Sequence, residues 1–94
     1  MNQKPTLEIA KELIDGNQLA EAKQCLEQIV AENSKNDEAF YLLGNIARRE
    51  GNFAQAINNY SAAIEANPNN KAAASSIEML NEILEYRNTD LINP

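Results

Sequence analysis

The 94-residue sequence contains neither histidine nor tryptophan, and it has a single cysteine, Cys25. Because histidine is absent, no imidazole can activate a nucleophile, and the usual Cys and His zinc sites cannot be assembled. A lone cysteine forms no internal disulfide, so an oxidising compartment is not required. We expect the Cys25 thiol to pack as a small apolar group.

Carboxylates are the remaining source of acid–base chemistry in this chain. Glu8 and Glu12 lie at helical spacing, as do Glu78, Glu82 and Glu85. Rows of this kind are far more often solvated helix surface than catalytic pairs. The Asp-rich and Gly-rich runs of calcium-binding and phosphate-binding loops are also missing. We therefore predict a protein that is not an enzyme and that uses no cofactor or metal.

Positive charge and long apolar runs are scarce as well. Fourteen acidic residues against eight basic ones leave a formal charge of -6, which disfavours nucleic acid as a partner. No apolar run approaches the ~20 residues that span a bilayer, and residues 1–5 lack the apolar stretch of a signal peptide. The sequence thus predicts a soluble cytoplasmic protein without a membrane partner.

The residues that are present favour one packed domain. Hydrophobic residues make up 44% of the chain, beside three glycines and three prolines, a balance typical of soluble globular proteins. A chain of 94 residues is too short for two independent cores. We therefore interpret residues 1–94 as a single domain.

An internal repeat of thirty-four residues runs over about residues 3–36 and again over about 37–70. A shift by this period places small residues on small ones and apolar residues on apolar ones. Ile9, Ala10 and Leu13 fall on Leu43, Gly44 and Ala47, and Leu19, Ala22, Leu26 and Ile29 fall on Phe53, Ala56, Tyr60 and Ala63. Each unit shows two stretches of helical periodicity, which predicts a pair of amphipathic helices.

A glycine turn separates the two helices of each unit. Gly51 can adopt a positive φ at the end of the first helix, and Asn52 can cap the second. We expect Gly16 and Asn17 to have the same roles in the first unit.

A third helical segment follows the second unit. Pro68 disfavours helix at Asn67, and Asn70 can cap the helix that comes next. That helix is predicted to run from Lys71 to about Tyr86, and residues 87–94 show no periodic signal and are predicted to be an irregular tail. The apolar stripe of the predicted helix consists of Ala73, Ile77, Leu80 and Leu84.

The second unit carries a recognisable pattern of spaced residues. Phe40, Leu43-Gly44, Ala47, Ala56, Tyr60 and Pro68 closely resemble the tetratricopeptide pattern of bulky aromatic, Leu-Gly, large residue, Ala-x3-aromatic and closing proline. The main departure is Ala47, where the pattern has tyrosine. The first unit departs further, with Thr6 for the aromatic, Ala10 for glycine and Ser34 for proline.

The resemblance implies an all-α, right-handed solenoid of helical hairpins, with two repeats and a C-terminal capping helix. Glu78 and Asn81 align with Gly44 and Ala47, which gives the last helix the polar face that the end of a solenoid needs. In such proteins the first helix of each pair lines a concave groove. The residues predicted to line it here are Leu7, Lys11, Ile14, Tyr41, Asn45, Arg48 and Met79, with Ser75 and Glu82 beside them on the last helix.

We therefore predict a non-catalytic adaptor that binds a peptide or helical segment of another protein in this groove. Lys11 and Arg48 favour a partner with a carboxylate or acidic group, although exposed cations on helices are commonly just solvated. A second hypothesis is a structural element that forms homodimers or joins a larger assembly. The small number of repeats supports it, because about three repeats are usually needed for stability.

Overall fold

The computed structural model describes the backbone of residues 4–92 and the side chains of residues 4–85. Within these residues all regular structure is helical, and no strand occurs. The helices are α1 (Leu7–Asp15), α2 (Leu19–Glu32), α3 (Asp37–Arg49), α4 (Phe53–Ala66) and α5 (Lys71–Ile92). The predicted all-α class and the two helix pairs followed by a further helix are confirmed.

Each helix packs against the next along the chain, from α1 to α5. Two apolar clusters result, the first between α1, α2 and α3 and the second between α3, α4 and α5. Ala10, Leu26 and Ile46 are at the centre of the first cluster, and Tyr60 and Leu80 are at the centre of the second. The helix α3 therefore contributes to both clusters, as expected when each repeat covers the apolar face of its neighbour.

Side-chain caps begin most of the helices. A short polar side chain accepts a hydrogen bond from the backbone N–H three residues later, at 2.9 to 3.2 Å, which satisfies one of the unpaired donors of the first turn. The capping residues are Thr6 for α1, Asn36 for α3, Asn52 for α4 and Asn70 for α5. The predicted roles of Asn52 and Asn70 are confirmed.

The turn of the first hairpin differs from our prediction. Gly16 has a φ of -83°, whereas Asn17 has the positive φ of 61° that corresponds to the 81° of Gly51. Gln18 precedes α2 and makes no side-chain capping bond. The assignment of the two roles to Gly16 and Asn17 was wrong by one residue, because the repeat period aligns Gly51 with Asn17. Asparagine can occupy this position since it tolerates the left-handed conformation better than most residues.

The last helix is longer than predicted. It has 22 residues and ends at Ile92, so the prediction of a helix end near Tyr86 and an irregular segment from residue 87 was wrong for residues 87–92. This stretch contains neither glycine nor proline, and residues of moderate propensity extend a helix that is already nucleated. The predicted irregularity of residues 93–94 lies outside the described residues.

The two loops that follow the hairpins have the same geometry. Asn33 Oδ1 accepts a hydrogen bond from the backbone N–H of Lys35, and Asn67 Oδ1 accepts one from that of Asn69. This repeated asparagine turn explains why Ser34 can replace the closing proline. The second loop is also tied to α3, because Asn67 and Asn70 both donate to Asp37 Oδ2, at 3.2 and 2.8 Å.

Candidate functional site

The predicted groove residues of α3 lie on its exposed side. Tyr41, Asn45 and Arg48 recur at spacings of four and three residues, which places them on one helical stripe. All three are half-buried, whereas Ala39 and Leu43 on the opposite side are buried in the first apolar cluster. The apolar periodicity that packs α3 into the solenoid therefore also turns this polar stripe toward solvent.

A buried tyrosine of α4 lies beneath the stripe. The Tyr60 hydroxyl donates a hydrogen bond to Asn45 Oδ1 at 2.5 Å, and the side chain of Ser76 on α5 lies near it. Its ring lies 5.7 Å from the ring of Tyr41, with the two planes tilted by 42°. One side chain thus links α3, α4 and α5 at the base of the groove. From the sequence, Tyr60 is predicted only as a core residue, and Ser76 has no predicted role.

Burial raises the pKa of the Tyr60 phenol above its ordinary value. The positive charge of Arg48 and the interaction with the Ser76 side chain act in the opposite direction, and Tyr41 adds a small upward effect. The phenol therefore remains protonated at neutral pH and can donate to Asn45. Because Asn45 uses its oxygen for this bond, its Nδ2 group is the part that can donate to a ligand.

The α5 side of the groove follows from helix geometry. Three residues turn an α-helix by about 300°, which is about 60° short of a full turn. Ser76, Met79 and Glu82 follow one another at this spacing, so they lie progressively farther from the buried side of α5. Their exposure agrees with this arrangement, since Ser76 is 9% exposed, whereas Met79, at 41%, and Glu82 are both exposed. Ile83, 38% exposed, lies beside Met79. The α5 wall is therefore apolar near the base and acidic at its rim.

The predicted residues of α1 are arranged differently. Leu7 and Ile14 are half-buried and pack against the first apolar cluster. Lys11 forms an ion pair with Glu38 of α3 at 2.7 Å, with both side chains about half exposed. Lys11 is thus already engaged with a carboxylate of its own chain. Among the predicted residues, Asn45 and Tyr41 contact Tyr60, and Met79 lies three residues after Ser76 on α5, whereas Leu7 and Ile14 pack on the first apolar cluster.

Other kinds of site are not formed by the described side chains. Residues 4–85 contain no group of three His, Cys, Asp or Glu side chains that could hold a metal ion. Cys25 is half-buried, and its Sγ lies 3.6 Å from the backbone oxygen of Thr6. No helix in the described part of the chain has the length and hydropathy needed to cross a membrane.

The paired helices, their consecutive packing and their thirty-four-residue period define a helical-repeat protein. A family model described as tetratricopeptide repeat matches residues 7–71, and the protein belongs to this family. Tetratricopeptide repeats generally mediate protein–protein interaction, and the family is generally non-catalytic.

A solved structure supports the same assignment over nearly the whole chain. The protein is similar to the Bacteroides fragilis protein BF1650, determined by solution NMR, with a TM-score of 0.79 and 38% sequence identity. The alignment covers 99% of this chain and 91% of that chain. A comparison with curated proteins finds no match.

Proposed function

We propose that this protein is a non-catalytic cytoplasmic adaptor whose single domain binds a peptide or helical segment of another protein. The binding surface is the concave groove, and its centre is the part between α3 and α5. The observation that carries the proposal is the hydrogen bond from Tyr60 to Asn45, because it holds a polar side chain of the exposed stripe in one orientation. Such fixed donors lower the entropic cost of binding.

The side chains around this bond suit a peptide with a carboxylate or acidic group. The guanidinium of Arg48 can hold a carboxylate through two parallel hydrogen bonds. Asn45 Nδ2 can donate to a backbone carbonyl, and the half-buried ring of Tyr41 offers rigid apolar area. Two of these side chains, Asn45 and Tyr41, are positioned by their contacts with the buried Tyr60.

A peptide-library capture with the wild type and the Arg48→Ala variant tests the proposal. We expect the wild type to retain a set of related peptides and the variant to bind them at least about tenfold more weakly, since a charge-assisted hydrogen bond is lost. Arg49→Ala is a matched control, because Arg49 is exposed and donates to Asn17 at 3.3 Å, near the first turn.

The three results are distinguishable. Failure of the wild type to retain any peptide overturns the proposed function. Equal capture by the wild type and Arg48→Ala, with binding otherwise intact, removes the role of Arg48 alone. A loss in Arg49→Ala that matches the loss in Arg48→Ala indicates a general effect of charge rather than a contact in the groove.

A further inference from the structure

The two walls of the central groove differ in charge. The α3 wall presents Arg48, which lies three residues after Asn45 on the same stripe, beside the hydrogen bond between Asn45 and the buried Tyr60 hydroxyl. The α5 wall presents the exposed carboxylates of Glu82 and Glu78, which lie on the solvent side of Met79. A ligand in the groove would therefore meet a cation on one side and anions on the other.

The floor between the walls combines polar and apolar surface. The polar part is formed by Ser76 and by the hydroxyl of Tyr60, which is hydrogen-bonded to Asn45. Met79 and Ile83 are spaced by four residues and form a short apolar row along α5. An amphipathic helix can pack the apolar seam along its length on an apolar surface of this kind.

We propose that the groove selects an amphipathic segment with an apolar seam, acidic residues on one flank and basic residues on the other. This inference rests on the proposed function and specifies its ligand. The acidic flank lies against Arg48, the seam covers Met79 and Ile83, and the basic flank lies against Glu82. Because the two walls have opposite charges, only one direction of the segment along the groove matches both walls.

A second copy of this chain fits the surface less well. Each copy has a formal charge of -6, so the acidic rims would repel one another. Met79 and Ile83 leave only 41% and 38% of their surfaces exposed, whereas a stable interface buries about 800 Å² on each partner. The charge and the small apolar area both favour a short peptide segment with one acidic and one basic flank over a second copy of this chain.

Three synthetic helical peptides with the same apolar seam test the inference by fluorescence anisotropy. One carries glutamates on one flank and lysines on the other, the second carries glutamates on both flanks, and the third carries lysines on both. We expect the mixed peptide to bind wild type about three- to tenfold more tightly than either of the others, because each exposed ion pair contributes little alone. The preference should shrink in 1 M salt, where the screening length falls to about 3 Å.

Charge reversal of each wall should change the preferred peptide. Glu82→Lys is expected to favour the peptide with two acidic flanks, and Arg48→Glu the peptide with two basic flanks. Glu21→Lys and Lys35→Glu make the same changes at exposed positions outside the groove and should keep the wild-type order. If Arg48→Glu fails to fold by circular dichroism, Arg48→Gln replaces it and should abolish the advantage of the acidic flank.

Several results would overturn the inference. Equal binding of all three peptides, or retention of library peptides without any binding of the mixed peptide, removes the charge selection and leaves the proposed function standing. Absence of binding by these peptides and by the whole library removes both. A dimer in sedimentation experiments that Met79→Asp dissociates would show that a second copy covers the row instead.

Discussion

A Cβ atom on Gly44 would lie 2.5 Å from Cε1 of Tyr60 and 2.6 Å from its Cδ1. The tyrosine ring therefore occupies the space that any other residue at position 44 would need. The backbone of α3 and the ring on α4 approach closely because one of the two has no side chain. Since the same ring carries the hydroxyl that holds Asn45, this contact fixes the hairpin and the base of the groove together.

Gly44→Ala should destabilise the protein by about 1 to 3 kcal/mol, because the added methyl group overpacks a buried contact and Tyr60 is fully buried. Gly44→Leu should cost at least as much. Urea unfolding followed by circular dichroism measures the change. Gly16→Ala is the control, since its Cβ would meet only backbone oxygens at 3.5 and 3.8 Å. An unchanged urea midpoint for Gly44→Ala would show that the contact is misplaced.

The first repeat solves the same packing problem with different residues. Ala10 and Leu26 stand at the positions of Gly44 and Tyr60, and both are fully buried. Ala10 is larger than Gly44, and Leu26 is correspondingly smaller than Tyr60. We expect Gly44→Ala combined with Tyr60→Leu to lose less stability than the sum of the single changes, with a coupling free energy of about 1 kcal/mol in a double-mutant cycle. Strictly additive losses would contradict the pairing.

Sequence reasoning identified the parts of the fold that depend on local pattern. The period and the helical spacing of Phe40, Gly44 and Tyr60 were sufficient to predict the helix pairs and their packing faces. The period also aligns Gly51 with Asn17, which is the residue that has the positive φ in the first turn. The prediction instead placed the positive φ at Gly16, because glycine adopts this conformation most readily. In this turn, the alignment of the repeats is a better guide to the backbone conformation than the residue type.

The centre of the candidate site could be predicted only in part. Asn45 and Arg48 share a stripe, and this follows from helix geometry alone. Their link to Tyr60 and Ser76 depends on how three helices are rotated about their axes, which one sequence does not specify. The same is true of the ion pair between Lys11 and Glu38, since it joins consecutive first helices.

The capping asparagines allow a test of how α5 is fixed to the second repeat. Asn70 caps α5 and also donates to Asp37, whereas its counterpart Asn36 caps α3 and makes no such bond to an aspartate among the described side chains, residues 4–85. We expect Asn36→Ala to cost about 1 kcal/mol of unfolding free energy and Asn70→Ala about 2 kcal/mol. Urea midpoints at pH 7 give both values. Equal losses would indicate that the bond with Asp37 contributes no stability.

Tyr60→Phe keeps the ring in contact with Gly44 and removes only the hydroxyl. Asn45 then loses its hydrogen-bond partner, and we expect a loss of about 1 to 2 kcal/mol in unfolding free energy. Tyr41→Phe is the matched control, because the Tyr41 ring lies 5.7 Å from that of Tyr60 but is only half-buried. Urea unfolding at pH 7 compares the two variants, and equal small losses would contradict a structural role for the Tyr60 hydroxyl.

The same substitution should also change the alkaline pH dependence of stability. The pKa of Tyr60 is raised in the folded protein, so its phenol ionises more readily in the unfolded chain. The contribution of this phenol to the free energy of unfolding is therefore fully present below about pH 10, the ordinary tyrosine pKa. It is lost as the pH rises through the raised pKa of Tyr60 in the folded protein. Lysines titrate in the same range, so the informative quantity is the difference between wild type and Tyr60→Phe in urea unfolding from pH 8 to 11. That difference should shrink above pH 10, and a constant difference would contradict the raised pKa.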